Sequence, residues 1–323
     1  MARCLQPAVA ACCILLTLPA VSRAGADRNA RAEAAVQDLA RRPAADRAAA
    51  LSGNRELWGH ELSAALLAEG DRGFISSNYP EAESFYGMAL TVARATSDTD
   101  SVIAAAQRAG NCSFYLGKYE ESRDFYSESL RQAETAGDKR GMAGALNGLG
   151  NVQARTDLDA ALALYERSLF LSRAIDDPVG GARGLNNLGN LYAKKGDLSK
   201  AIGLYQESLA IKEKFGDKGQ IAMTVYNIGR LLETQKRYDE ALDYQRRCLS
   251  LSEESGRTAG IASATHSIGD IFFEQGKQEE AVPYYERSLR LAEQIGDRGG
   301  AAECRARLEA IRAARQPAAE AKW

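Results

Sequence analysis

Four asparagine-bearing segments of the chain set amide and basic side chains at fixed offsets from a glycine, and a fifth carries a histidine. Asn111 follows Gly110. Asn147, Asn151 and Arg155 surround Gly150, while Asn186, Asn187, Asn190 and Lys194 surround Gly189. Asn227 and Arg230 flank Gly229, and His266 and Asp270 flank Gly269, with Arg183 adding a positive charge near the middle. Each flanking residue sits two or three places before the glycine, one after it or five after it. Asparagine both donates to and accepts from an extended peptide backbone, while Arg and Lys favour carboxylates, Arg through two parallel bonds. The chemistry available is therefore recognition of a peptide-like or carboxylate-bearing ligand. The middle segments are basic and amide-rich, and the last, with Asp270 and Glu274, is acidic.

Bond-making chemistry has little to work with. His60 and His266 are the only histidines and stand far apart, so neither a histidine-rich metal site nor a Ser/His/Asp triad is expected. No cofactor is expected either, since no Gly-Lys-Ser/Thr phosphate loop accompanies the glycines. Asn111-Cys112-Ser113 fits a glycosylation sequon but falls within an expected helix. With 45% hydrophobic residues and a net charge of −2, the chain can bury apolar faces and carries no polybasic excess for nucleic acid.

What positions these side chains is a repeat. Consecutive glycines from Gly110 to Gly269 stand 40, 39, 40 and 40 residues apart, and Gly70 fits one further step upstream. Six copies of one structural unit follow from that period. Each copy reads as a helix carrying the glycine, a turn, and a second helix. In three copies Gly117, Gly196 or Gly276 occupies the turn, where a left-handed residue is favoured. The second helix carries a small residue (Ala82, Ser122, Ala161, Ala201, Ala241, Ala281), then a tyrosine four places on (Tyr86, Tyr126, Tyr165, Tyr205, Tyr285), then a leucine. That spacing lies on one stripe of a helix, which lets a neighbour approach the small residue and pack against the ring. Gln245 breaks the tyrosine series, and Tyr244 beside it is the expected substitute. Turns at Gly137-Asp138, Gly216-Asp217 and Gly296-Asp297 end one helix with glycine and begin the next with aspartate, and Asp176-Asp177-Pro178 supplies the aspartate alone. Loops this short make the helices antiparallel neighbours.

Leu185, Leu188, Gly189 and Tyr192 on the first helix, with Ala201, Tyr205 and Ser208 on the second, resemble the tetratricopeptide repeat, in its long forty-residue form. The resemblance covers roughly residues 56 to 297. It implies an all-α, right-handed superhelical α-solenoid of antiparallel helix pairs whose first helices line a concave groove. It therefore places Asn111, Asn147, Asn151, Arg155, Arg183, Asn186, Asn187, Asn190, Lys194, Asn227, Arg230 and His266 where a partner would lie. Residues 25 to 55 read as a helical lead-in or cap, residues 298 to 315 as a capping helix with Leu308 on its apolar side, and residues 316 to 323 as a tail.

Met1 to Arg3, the apolar run Ala8 to Leu18, and Ser22-Arg23-Ala24 make residues 1 to 24 an expected export signal, too short to span a bilayer. A periplasmic or secreted protein follows. Val9-Ala10-Ala11-Cys12 offers a lipid anchor as the lesser alternative. Cys112, Cys248 and Cys304, widely spaced and odd in number, are expected to be small apolar fillers. The functional expectation is a non-enzymatic scaffold that binds a partner protein or peptide, with an acidic portion over Arg155, Arg183, Lys194 and Arg230. The alternatives are an envelope lipoprotein assisting assembly of a membrane complex, and a sensor array regulating a separate catalytic protein.

Overall fold

A computed structural model describes residues 20–216 and 218–315 of the chain. The Val9–Cys12 segment and most of the expected export signal lie outside the described residues, as do Asp217 and the tail from 316. The expected cleavage point after Ala24 falls within the first helix, which begins at Ala20. The described residues are almost wholly helical, and the chain divides into two compact units, Met1–Leu116 and Gly117–Trp323.

The first unit holds α1 (Ala20–Arg41), α2 (Ala44–Ser52), one turn of 3-10 helix, α3 (His60–Ile75), α4 (Tyr79–Ala95) and α5 (Thr99–Tyr115). Ala32, Val36 and Leu39 of α1 are buried at helical spacing. Arg47 fastens α2 to α4. Its guanidinium is buried over the Phe85 ring at 4.7 Å, donates to the Leu39 carbonyl, and meets Glu81 Oε1 at 2.7 Å. A buried charge is tolerable only with such partners. The α4 backbone lies close against Gly73: an added Cβ would stand 3.1 Å from the amide nitrogen of Ala82.

The second unit runs α6 (Tyr119–Ala136), α7 (Lys139–Gln153), α8 (Leu158–Ala174), α9 (Pro178–Lys194), α10 (Leu198–Phe215), α11 (Lys218–Thr234), α12 (Tyr238–Glu254), α13 (Thr258–Glu274), α14 (Gln278–Ile295) and α15 (Arg298–Arg315). Each helix packs on the next in an α-solenoid of antiparallel pairs. The small residues Ser122, Ala161, Ala201, Ala241 and Ala281 are fully buried, as the close approach requires. Tyrosine rings then fill the notch left by glycine. A Cβ on Gly150, Gly189 or Gly269 would lie 2.5, 2.8 or 2.9 Å from the ring of Tyr165, Tyr205 or Tyr285. Buried serines staple three of the pairs: Ser168, Ser208 and Ser288 donate to the carbonyls of Ala143, Ala182 and Ala262, while Cys248 holds the equivalent place on α12.

Aspartates cap the start of five helices of the second unit, whereas α6, α12, α13 and α14 begin after Lys118, Arg237, Arg257 and Lys277 without a side-chain cap. Asp138, Asp157, Asp177, Asp197 and Asp297 accept backbone N–H bonds at the start of the following helix. Gly137 and Gly296 are left-handed caps. Gly216 is extended instead, with φ −94° and ψ 161°, so its turn does not use glycine's conformational freedom. At the seventh place after the anchoring glycine, Gly117, Gly196 and Gly276 are left-handed, and so are the non-glycine residues Ser77 and Lys236. Asp157, at that offset in the copy with the 39-residue step, is not: its φ is −142°.

Candidate functional site

The first helices α7, α9, α11 and α13 of the second unit carry the expected site residues, apart from Asn111 on α5 and Arg155 in the turn after α7, and side-chain bonds join neighbouring ones. Asn187 donates to Asn147 at 3.2 Å, linking α9 to α7, and Thr224 reaches Asn186 at 3.4 Å, linking α11 to α9. Asn147 is a correction to the groove assignment. It is only 4% exposed, donates to Ser168 Oγ at 2.7 Å, and works as a joint between helices. Neighbouring repeats bring amides of adjacent helices side by side, so an amide that could meet a ligand meets another amide instead.

The asparagine after the glycine also has a structural duty. Tyr165 donates to Asn151 at 2.8 Å and Tyr205 to Asn190 at 2.6 Å. Tyr285 does the same to Asp270, and in the first unit Tyr86 does so to Asp71, both at 2.8 Å. Burial pushes the Tyr205 hydroxyl up to about 12, so it remains a donor. The rule needs an acceptor after the glycine. Arg230 is not one, and in that copy the tyrosine is replaced. Gln245 itself is fully buried against Gly229, whereas Tyr244 is only partly buried, so the expected substitution by Tyr244 is corrected.

Of the other residues, Asn111 lies exposed on α5 in the first unit. Arg155 is exposed and stacks on the Tyr119 ring at 3.6 Å. Arg183 and Lys194 are exposed and make no hydrogen bond or ion pair among the described residues; Asn227, half-buried, makes none either. Arg230 has 46% of its side chain exposed, with Glu233 at 3.8 Å, beyond hydrogen-bond reach. Burial holds the Glu233 carboxyl above the usual carboxylate range. His266 is committed to α15 and its own helix: Nδ1 stands 3.2 Å from Cys304 Sγ and Nε2 3.2 Å from Asp270 Oδ2. Its hydrogen bond to Asp270, then that to Cys304, raises its pKa to about 10.

Two hollows open beside these residues. One, of about 350 Å³, lies between α11 and α13 over Cys248 and Ser252, with Met223, Tyr226, Asn227 and Arg257 on its walls. The other, of about 220 Å³, lies between α13 and α15, walled by Arg230, His266, Asp297 and Glu303. Tyr226, Ala259 and Ser263 line both, making one furrow. Sequence reasoning missed Met223 and Ser263. A signal was present, for both stand six places before their glycine, the offset of Arg183.

Among the described residues no helix is long and apolar enough to cross a membrane, and no group of three or more His, Cys, Asp or Glu side chains could hold a metal ion. The three described cysteines are free and buried.

The fold and this helical face define a repeat scaffold of the kind used for protein–protein interaction. The tetratricopeptide repeat profile matches residues 102–174, 142–214, 180–254 and 220–294, and the chain belongs to that family, in general a non-catalytic one. No curated protein matches the sequence. Solved structures share the fold at low identity. A Rap protein complexed with Competence and Sporulation Factor is 14% identical, with 83% of this chain and 80% of that one covered, at a TM-score of 0.60. A Rap conjugation gene regulator of plasmid pLS20, complexed with the Phr* peptide, is 16% identical, with 73% and 75% covered, at 0.58. A signal transduction ATPase with a tetratricopeptide repeat sensor, from Pyrococcus horikoshii, is 16% identical, with 83% and 41% covered, at 0.61.

Proposed function

We propose that the chain is a non-enzymatic scaffold that holds an extended segment of a partner protein against the first helices of its second unit. An acidic portion of that segment lies over Arg183, Lys194 and Arg230. The observation that carries this reading is the Gly229 copy. There the residue after the glycine is no acceptor and Gln245 replaces the tyrosine, and a half-exposed arginine stands at that place, its ion-pair partner Glu233 3.8 Å away. Departures from a local structural rule concentrate at functional sites. Two of the similar Rap structures hold a bound factor or peptide, which agrees with a ligand-holding use of the fold.

Affinity capture with wild-type bait and an Arg183→Glu/Arg230→Glu bait tests the reading. Both side chains are exposed, and an unchanged circular dichroism spectrum of the double variant is required alongside the capture. The expected result is a protein retained by the wild type and reduced at least about tenfold by the variant, the effect of removing charge-assisted contacts. Equal recovery by the two baits would overturn it.

A further inference from the structure

The hollow between α11 and α13 has a specific cause. At the preceding junction, between α9 and α11, the equivalent space is bridged: Lys212 of α10 reaches Thr224 with Nζ at 2.8 Å from the hydroxyl. Forty residues on, Ser252 replaces the lysine and Ala264 replaces the threonine. The bridge is gone, and a space of about 350 Å³ remains above Cys248 and Ser252. At the next junction Ala292 occupies the same place, and the furrow continues as the second hollow.

The walls of the first hollow are small or apolar: Gly219, Ala222, Met223, Ala259 and Gly260. Met223 is 57% exposed at the rim, an unbranched side chain able to fold over an occupant. Asn227 stands at the edge with no hydrogen bond among the described residues, although Asn187, its counterpart two places before Gly189, bonds to Asn147. The charged side chain on the wall is Arg257, exposed and without an ion pair among the described residues, and Arg230 stands on the far side of Tyr226.

We propose that this hollow is an anchor pocket for one large apolar side chain, leucine or phenylalanine, of a partner peptide that carries carboxylates beside it. The apolar side chain fills the space over Cys248 and Ser252. Asn227 holds the peptide backbone through its free amide, and Arg230 and Arg257 take the flanking carboxylates. The occupant is fixed by charge complementarity, since the one charged group on this wall is Arg257, with Arg230 beyond Tyr226, while the rest of the wall is small or apolar. The inference rests on the peptide-holding reading above and adds which side chain that peptide must present.

Fluorescein-labelled Glu-Glu-Xaa-Glu-Glu peptides, with glycine, alanine, leucine or phenylalanine at the centre, provide the test by titration against the full chain. Affinity should rise by about tenfold or more from glycine to leucine or phenylalanine, the gain expected for burying such a side chain. Ser263→Leu, at an exposed position on the rim, should abolish that gain and leave binding of the glycine peptide unchanged. Ser252→Met, filling the hollow from beneath, should do the same, so a folding defect in either variant does not decide the matter. If the peptides bind equally whatever the central residue, the pocket is wrong while the acidic-segment reading stands. If none binds, both fall. Self-association of the chain that Ser263→Leu removes would make a second copy the occupant and overturn the proposal.

Discussion

Tyr165 and Tyr205 each lay a ring against the Cα of a glycine and a hydroxyl on the asparagine that follows it. One aromatic side chain thus specifies two neighbouring positions on the facing helix. The glycine half of this unit is legible in the sequence, because a fixed period and a small-residue, tyrosine, leucine stripe allow one packing. The asparagine half is not. Asn147 and Asn187 bond across forty residues, and nothing local in either segment tells a joint from a ligand contact. Residue-scale conformation gives a direct check at Lys236, which holds a φ of 59° at the place where Gly117, Gly196 and Gly276 stand. A left-handed backbone strains a residue with a Cβ and suits glycine. Lys236→Gly should therefore raise the thermal midpoint, with a gain of about 0.5–1 kcal/mol after the added freedom of the unfolded chain is subtracted. A lowered midpoint on thermal denaturation would contradict it.

At the scale of elements, the two-helix unit and its aspartate-capped turns follow from sequence spacing, since a cap acts within one turn of its own helix. The docking of α15 does not, because it depends on which side chains meet across the interface. Arg307 reaches Asp270 at 3.3 Å, Arg305 reaches Glu293 at 2.5 Å, and His266 lies between Asp270, Cys304 and Glu303. Arg230 and Glu233 of α11 and Tyr285 of α14 complete the charged and ionisable surroundings of the imidazole. Its folded pKa of about 10 lies above the ordinary 6.5, so protonated His266 contributes fully below about pH 6.5. That contribution is lost as pH rises towards 10, at a slope of at most about 1.4 kcal/mol per pH unit. The Asp270 carboxyl, held low despite its burial by the His266 and Tyr285 hydrogen bonds and by Arg307, loses its contribution only on the acid side, outside this window. The wild-type thermal midpoint should therefore fall between pH 7 and pH 10 more steeply than that of His266→Gln. Parallel profiles would contradict the assignment.

On the scale of the molecule, a repeat stack gains stability from nearest neighbours and leaves one helical layer free to present side chains. In the second unit that layer is the first-helix row, carrying Arg183, Lys194, Asn227, Arg230 and the furrow walled by Tyr226 and Ser263. The row was legible through the family resemblance, whereas the furrow was not. Its existence depends on Ser252 and Ala292 being too short to bridge a gap that Lys212 spans, a comparison that has meaning only once the repeats are superposed in space. The central claim is that partners bind this face. Its most direct test is site-specific photocrosslinking, with benzoyl-phenylalanine placed singly at Lys194, Arg230 or Ser263 on first helices and at Arg167, Phe170 or Arg247 on second helices, all exposed. The account predicts partner crosslinks from the first three positions and none from the other three, and crosslinks from the second helices alone would contradict it.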